Sequence, residues 1–317
     1  MTIHEIRTAA PSGRKNPRYR ARRRTKAQRS RLFSTLLLAA PGSALLMVMS
    51  LTPIVVLLQM SVSQVNISNI VGSWRFIGLK NFTEVLSTTG FAGVATQTFL
   101  FVIFVLLATL GAGFIVALLL RSSRSYSVIT QTILILVWTL PPVIVGALWK
   151  FLLSTDGFIN GILSTLKLTE KPISFLSQPS TALAAIGAVT VWVGIPFAGL
   201  VLKSAILDVP EDILNAARVD GATSLQIFTR IVLPIIRPTI LILAVLIVVG
   251  AFKAFDLIYT MTRGGPGTSS ATLPFLGYTT AFQDYKFGNA AAISVFAMAI
   301  VLLLAVAYIF AVRREEK

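Results

Sequence analysis

Lys253 and Asp256 are the residues whose types and setting point most directly to chemistry. They stand three apart in an otherwise apolar stretch, beside Phe252, Phe255 and Tyr259. A charge inside a membrane span is costly and usually functional. Residues three apart share a helix face, so the two can pair. Polar groups for hydroxyls beside aromatic faces for pyranose rings would make a sugar site. A structural ion pair near the outer end of a span, or a contact with a partner subunit, accounts for the same residues. Catalysis fits poorly. There is no Gly-x-x-x-x-Gly-Lys-Ser/Thr phosphate loop, no His-Glu-x-x-His and no Gly-x-Ser-x-Gly. The run Gly264-Gly265-Pro266-Gly267 lacks the Gly-Lys-Ser/Thr end and reads as a turn. There is no cysteine, and the one histidine, His4, lies near the N-terminus. Thiolate and histidine metal sites are excluded, and no catalytic residue, metal or cofactor is expected on the chain itself.

The elements that must position these residues are apolar helices. The chain is 55% hydrophobic and 13% charged, with a mean hydropathy of +0.81, against about 25% charged residues in soluble domains. Six stretches approach or exceed the roughly 20 residues a bilayer needs. They lie near 32–60, 94–120, 128–152, 181–207, 239–261 and 290–312, which predicts an all-α integral membrane protein with six transmembrane helices. Nothing N-terminal resembles a cleaved signal, so the first span reads as a retained signal-anchor. Pro141-Pro142, and Gly194 with Pro196, free backbone groups within spans three and four; such interruptions line cavities or are packing kinks. Gly111, Gly113 and Gly187 read as close helix packing. Trp138, Trp149 and Tyr308 read as interfacial anchors.

Lys and Arg fix the orientation. They crowd the stretch before span one, recur at Arg121 and Arg124, at Lys203, Arg218, Arg230 and Arg237, and close the chain at Arg313, Arg314 and Lys317. The opposite loops hold only Arg75, Lys80, Lys167, Lys171, Arg263 and Lys286. Both termini are therefore expected in the cytoplasm. The net charge of +16 comes mostly from residues 1–31. This tail has one aromatic, Tyr19, and no apolar periodicity, so it is expected to be disordered, to fix topology and to touch anionic lipid rather than nucleic acid.

Between spans four and five, residues 208–238 are polar and hinged at a glycine. Asp208-Val209-Pro210-Glu211 reads as a capping box with Asp208 as N-cap. The helix should stop at Gly221, which tolerates a left-handed backbone. Thr223 and Gln226 form a second box, opening a helix with Leu225, Phe228, Ile231 and Val232 that Pro234 should end. Pro238 suits the first position of the next span.

Asn215-Ala216-Ala217-x-x-Asp220-Gly221-Ala222, followed by Phe228, Ile231, Leu233-Pro234 and Pro238, resembles the EAA loop of ABC-importer permeases. The outer loops resemble the carbohydrate branch of that family, which includes maltose, trehalose and glycerol-3-phosphate systems. They carry Phe76-Ile77-Gly78-Leu79-Lys80-Asn81-Phe82, Asp156-Gly157-Phe158-Ile159-Asn160, Thr262 through Thr268, and Phe287-Gly288-Asn289. The likeness covers roughly residues 73–312.

That resemblance implies a permease of the bacterial cytoplasmic membrane whose 208–238 loop docks a cytoplasmic ATPase subunit, present in two copies. It also implies a second homologous permease and an extracytoplasmic substrate-binding protein. ATP and Mg would be held by the ATPase, and the cargo would be a sugar or related polyol. Glu211, Asp212, Asn215, Ala216, Ala217, Asp220, Gly221, Phe228 and Pro234 then form the coupling surface. Asn215 stands where the family has Glu, so Glu211, four residues earlier on the same face, or Asp212 would supply the carboxylate. The family's midplane site adds Trp192 to Phe252, Lys253, Phe255, Asp256 and Tyr259 as pathway residues. An ion-coupled secondary transporter is the alternative; it would need intramembrane acids, of which Asp256 alone qualifies.

Overall fold

The computed structural model describes residues 40–120 and 125–313. The tail 1–31 with its expected disorder, Arg121, Arg124 and residues 314–317 lie outside them, as does the side chain of Tyr308. The chain divides into residues 1–56 and 57–317. In the first, the described residues belong to helix α1 (Ala40–Ser61), which is apolar and exposed over residues 40–56. The second begins with a short antiparallel ribbon pairing β1 (Ser63–Gln64) with β2 (Arg75–Phe76), Ser63 opposite Phe76.

The helices that follow are α2 (Lys80–Ser87), α3 (Phe91–Leu119), α4 (Ser125–Trp138), α5 (Pro142–Leu152), α6 (Phe158–Thr165) and α7 (Ala182–Leu207). Then come α8 (Glu211–Val219), α9 (Ser224–Ile227), α10 (Leu233–Phe252), α11 (Phe255–Met261), α12 (Leu273–Phe282) and α13 (Phe287–Arg313). Among the described residues four helical stretches are long and apolar enough to cross a membrane, the fourth running from Ser224 to Met261 through α9, α10 and α11, or five with α4 and α5 taken as one span. The third stretch is not straight: α4 and α5 meet at 99°. Pro142 at the first position of α5 has no N–H to continue α4, and Pro141 keeps the residue before it out of the helical region.

The packing is centred on α3 against α7, which approach closely because small residues face each other. A Cβ on Gly113 would stand 2.8 Å from that of Ala198, and one on Gly187 2.9 Å from the Phe104 ring. Gly111, expected to pack likewise, faces open space. One apolar cluster gathers Phe101, Val189, Leu257, Ile258, Phe275 and Ala292. A second gathers Ala117, Leu202, Ile206, Leu214, Ile227, Val232 and Leu243.

Two residues of the loop motifs turn out to be braces. The Asn81 amide donates to the carbonyls of Ser61 and Ser63 at 2.9 and 2.8 Å. The Asn160 amide donates to Ser154 and Ile173 carbonyls and its oxygen accepts from the Ile173 N–H. Both side chains are buried, where an unpaired amide is costly, so they fix the loops they sit in.

Candidate functional site

Two regions gather the expected residues, the loop 208–238 and a cavity at the break between α10 and α11.

In the loop, the second capping box is formed: the Thr223 hydroxyl accepts from the Gln226 N–H at 3.3 Å and the Gln226 side chain accepts from the Thr223 N–H at 2.8 Å. The glycine stop is also present. Gly221 has φ +80°, its N–H donates to Arg218, and the Ala222 N–H donates to Ala217 at 3.0 Å. Together these make a Schellman turn. The first capping box is absent. Asp208 instead ends α7, and α8 begins after Pro210 with no side-chain cap. Val209, buried with Leu202 and Leu214, ties the segment to the core and turns Asp208 away.

Pro234 does not end the second helix. A π-turn, Phe228–Val232, joins α9 to α10, and the Leu233 N–H reaches back five residues to the Phe228 carbonyl. The wide turn admits Pro234, whose missing N–H would otherwise interrupt the ladder. Pro238 lies inside α10 rather than at its start. Phe228 is held edge-to-face on Phe114 of α3, centroids 6.0 Å apart.

The helix pair thus rests on buried Leu214 and Ile227 and exposes the rest. Glu211, Asp212, Asn215, Ala216, Asp220 and Gly221 are exposed, and Ala217 is half-buried. Val219 and Leu225 are 88% and 71% exposed. Asn215 accepts a hydrogen bond from Arg218 at 2.6 Å; Glu211 and Asp212 have no such tie among the described residues.

The cavity, about 230 Å³, lies among α3, α7, the α4–α5 bend and the end of α10. Lys253 and Asp256 both open into it, yet no ion pair joins them among the described residues. The helix is broken between them, so a three-residue spacing no longer places them on one face. Each is stabilised separately: Lys253 caps the negative C-terminal end of α10, and Asp256 sits in the positive first turn of α11.

The other expected pathway residues are dispersed. Phe252 is buried in the core. Phe255 and Tyr259 stack on each other at 5.7 Å, and neither lines the cavity. Trp192 lines a different groove, of about 580 Å³, edge-to-face with Trp149. Cavity residues that sequence reasoning missed are Trp138, stacked on Phe197 at 5.4 Å, and Thr109, whose buried hydroxyl has no partner among the described residues. Trp138 was expected as an interfacial anchor; the bend at Pro141 carries it to the cavity. The only local signal was the proline pair next to it.

A polytopic helical bundle, a polar helix pair projecting from it and a cavity at a broken span describe a membrane transport component. Residues 109–315 match the family described as "Binding-protein-dependent transport system inner membrane component", and the chain belongs to that family. It is 32% identical over 240 residues to the trehalose/maltose transport system permease protein of Thermococcus litoralis, covering 74% of this chain and 79% of that one. It is 29% identical over 271 residues to the sulfoquinovosyl glycerol transport system permease protein of Agrobacterium fabrum, covering 84% and 87%. Among solved structures, a chain of a bacterial ABC transporter that imports the acidic polysaccharide alginate superposes with a TM-score of 0.77 at 25% identity, covering 93% of this chain and all of that one.

Proposed function

We propose that the chain is one permease subunit of an ATP-driven, binding-protein-dependent importer of a sugar or related polyol. The observation that carries this reading is the exposed α8–α9 pair, shaped by the Gly221 turn and continuous with α10 through the π-turn. A rigid polar pair anchored on Leu214 and Ile227 is a handle for a soluble partner. That partner is a cytoplasmic ATPase, in two copies, holding ATP and Mg. Its closure pushes α8–α9 as a unit and tilts α10, so the bundle alternates between outward- and inward-facing arrangements.

Six spans complete the membrane part: four long apolar stretches, the bent α4–α5 pair and α13, with both termini and the helix pair cytoplasmic. Coupling falls to Glu211, Asp212, Asn215, Ala216, Ala217, Asp220, Gly221, Phe228 and Pro234. Asp256 and Lys253 line the pathway at the broken span, where backbone freed from the helix faces a cavity, as in other transporters. Phe252, Phe255, Tyr259 and Trp192 shape its walls. A second, similar permease faces this one, and an extracytoplasmic binding protein delivers the cargo. An ion-coupled carrier has no use for the helix pair and offers only Asp256 as a proton carrier.

Purification of the tagged chain in mild detergent from its native membrane tests this. Co-elution of an ATPase subunit and a second permease is expected. Elution alone or as a homo-oligomer would overturn the reading and favour the ion-coupled carrier.

A further inference from the structure

Bracing explains only half of the motif Phe76–Phe82. Asn81 holds the carbonyls of Ser61 and Ser63, and Phe82 packs edge-to-face on Phe296 of α13, centroids 5.4 Å apart. Phe76 and Leu79 do the opposite: they are 72% and 67% exposed. Their backbone is nonetheless fixed. The Ile77 N–H donates to the Val62 carbonyl at 2.9 Å, Gly78 turns the chain at φ +63°, and Leu79 is the N-cap of α2. Two large apolar side chains are thus held where they touch little of the chain itself.

The ribbon register shows which way Phe76 projects. Successive residues of a strand take opposite faces, and cross-strand partners share one. Gln64 and Arg75 are partners on one face, and both are exposed. Ser63 and Phe76 are partners on the other. Ser63 is buried there, and Phe76 reaches past the cover. The ribbon therefore has a polar side, and an apolar side that overhangs the protein. Its level is set by the chain: β1 starts at Ser63, just past Ser61, where the membrane-length stretch α1 ends. Phe76, opposite Ser63, lies at the edge of the hydrocarbon layer. Between the strands, Ile67 and Val71 are exposed as well, Val71 almost wholly. No acid occurs between the end of α1 and Glu84, and Glu84 pairs with Lys80 at 3.8 Å. Arg75 has no carboxylate within ion-pair distance among the described residues. So many apolar side chains are poorly placed in water. An acid-free segment with an apolar face, a cationic face and a place at the end of a span matches the membrane interface.

We propose that residues 67–79 form a phospholipid contact. Phe76, Leu79 and the exposed residues between the strands enter the head-group and upper acyl region of the leaflet at which α1 ends, while Gln64 and Arg75 stay in the polar layer. Asn81 and Phe82 tie the same motif to the last turn of α1 and to α13, so the contact sets the height of both against one membrane surface. The proposal needs α1 to cross the membrane. It goes beyond the importer reading and does not draw on it.

The chain has no cysteine, so a nitroxide can be placed on a single introduced thiol. Phe76→Cys and Leu79→Cys are labelled separately in the assembled complex, reconstituted in phospholipid vesicles. Val71→Cys stands in for either that does not reach the membrane. Collision of the nitroxide is measured with oxygen, which concentrates among acyl chains, and with a neutral nickel chelate, which stays in water. Leu107→Cys, exposed midway along α3, supplies the value for lipid. Lys171→Cys, exposed in a loop, supplies the value for water. The oxygen-to-nickel ratio at both test positions should be severalfold above that of Lys171→Cys and below that of Leu107→Cys. A ratio equal to the water value at either position overturns the proposal. Low collision with both reagents also overturns it, because protein then covers the motif and the exposed pair is a docking site for a partner chain. The readout needs neither ATP nor cargo, so its failure leaves the importer reading standing. Loss of ATPase co-elution, in turn, would sink that reading without changing the collision ratio.

Discussion

Replacing Gly221 isolates a purely conformational contribution to coupling. At φ +80° the residue occupies the left-handed region, and a Cβ built there meets nothing within 4 Å. No steric contact is therefore added, and the cost of Gly221→Ala is the backbone cost alone, about 1–2 kcal/mol. Gly221→Val costs more, because a β-branched residue at positive φ is a true outlier. Gly221→Asn costs less, because Asn visits this region routinely. A loss of 1–2 kcal/mol lowers the ratio of intact to broken turn by roughly 5- to 30-fold. The assay is uptake per ATP hydrolysed by the complex reconstituted in proteoliposomes, with retention of the ATPase measured on the same sample. The expected order of coupled uptake is Gly, Asn, Ala, Val, with Val uncoupled or stripped of its ATPase. Wild-type uptake by Gly221→Val would refute the turn as a coupling element. Asn as damaging as Val would refute the backbone argument and point to a side-chain clash in the docked state.

Three further outcomes follow from the same geometry. Reversing both exposed acids, Glu211→Arg with Asp212→Arg, should abolish cargo-stimulated ATPase activity while the chain still inserts; unchanged stimulation would mean that no carboxylate is needed beside Asn215. Thr223→Ala removes one half of the capping box and should cost about 0.5–2 kcal/mol of local stability, read as faster hydrogen exchange at Ser224, Leu225 and Gln226; adding Gln226→Ala should cost less than the sum, since the two bonds close one ring. Gly113→Leu must displace α7, because even a Cβ there stands 2.8 Å from Ala198 Cβ and 3.2 Å from its backbone carbon; overpacking of this kind costs about 1–3 kcal/mol and should lower the melting temperature of the purified complex, whereas Gly111→Leu, which faces open space, should leave it unchanged.

What the sequence revealed was local, and what it hid was set by packing. The apolar stretches, the Gly221 stop and the Thr223–Gln226 box depend on neighbours within a few residues; among the described residues the structure keeps four of the stretches as apolar spans, or five with the bent pair, and both the stop and the box. Asp208 failed as an N-cap because Val209 is buried with Leu202 and Leu214, a contact between segments that no four-residue pattern contains. Pro234 was read by its ordinary effect on an α-helix; a π-turn upstream changes the carbonyl spacing and removes the conflict. The spacing of Lys253 and Asp256 implied a pair only while the helix was taken as unbroken. Trp138 was placed by its distance along a straight span, and the 99° bend moved it to the cavity. Asn81 and Asn160, part of the motifs that carry the resemblance, brace their loops through bonds to backbone carbonyls distant in sequence, which the motif spacing alone does not reveal.

The π-turn at Phe228–Val232 also acts as a fixed gear offset between the two ends of one rod. A single extra residue in a helix rotates everything beyond it by about 100° about the axis. Phe228 therefore meets Phe114 of α3 on an azimuth that an uninterrupted helix would give to another residue. Removing one residue from 228–232 would straighten the ladder, return Pro234 to a position where its ring opposes a carbonyl, and turn Leu225 and the Thr223 cap roughly a quarter of a circle away from where they now project. The angular setting of the docking handle is thus written in the length of this turn, and side-chain changes nearby leave that setting untouched.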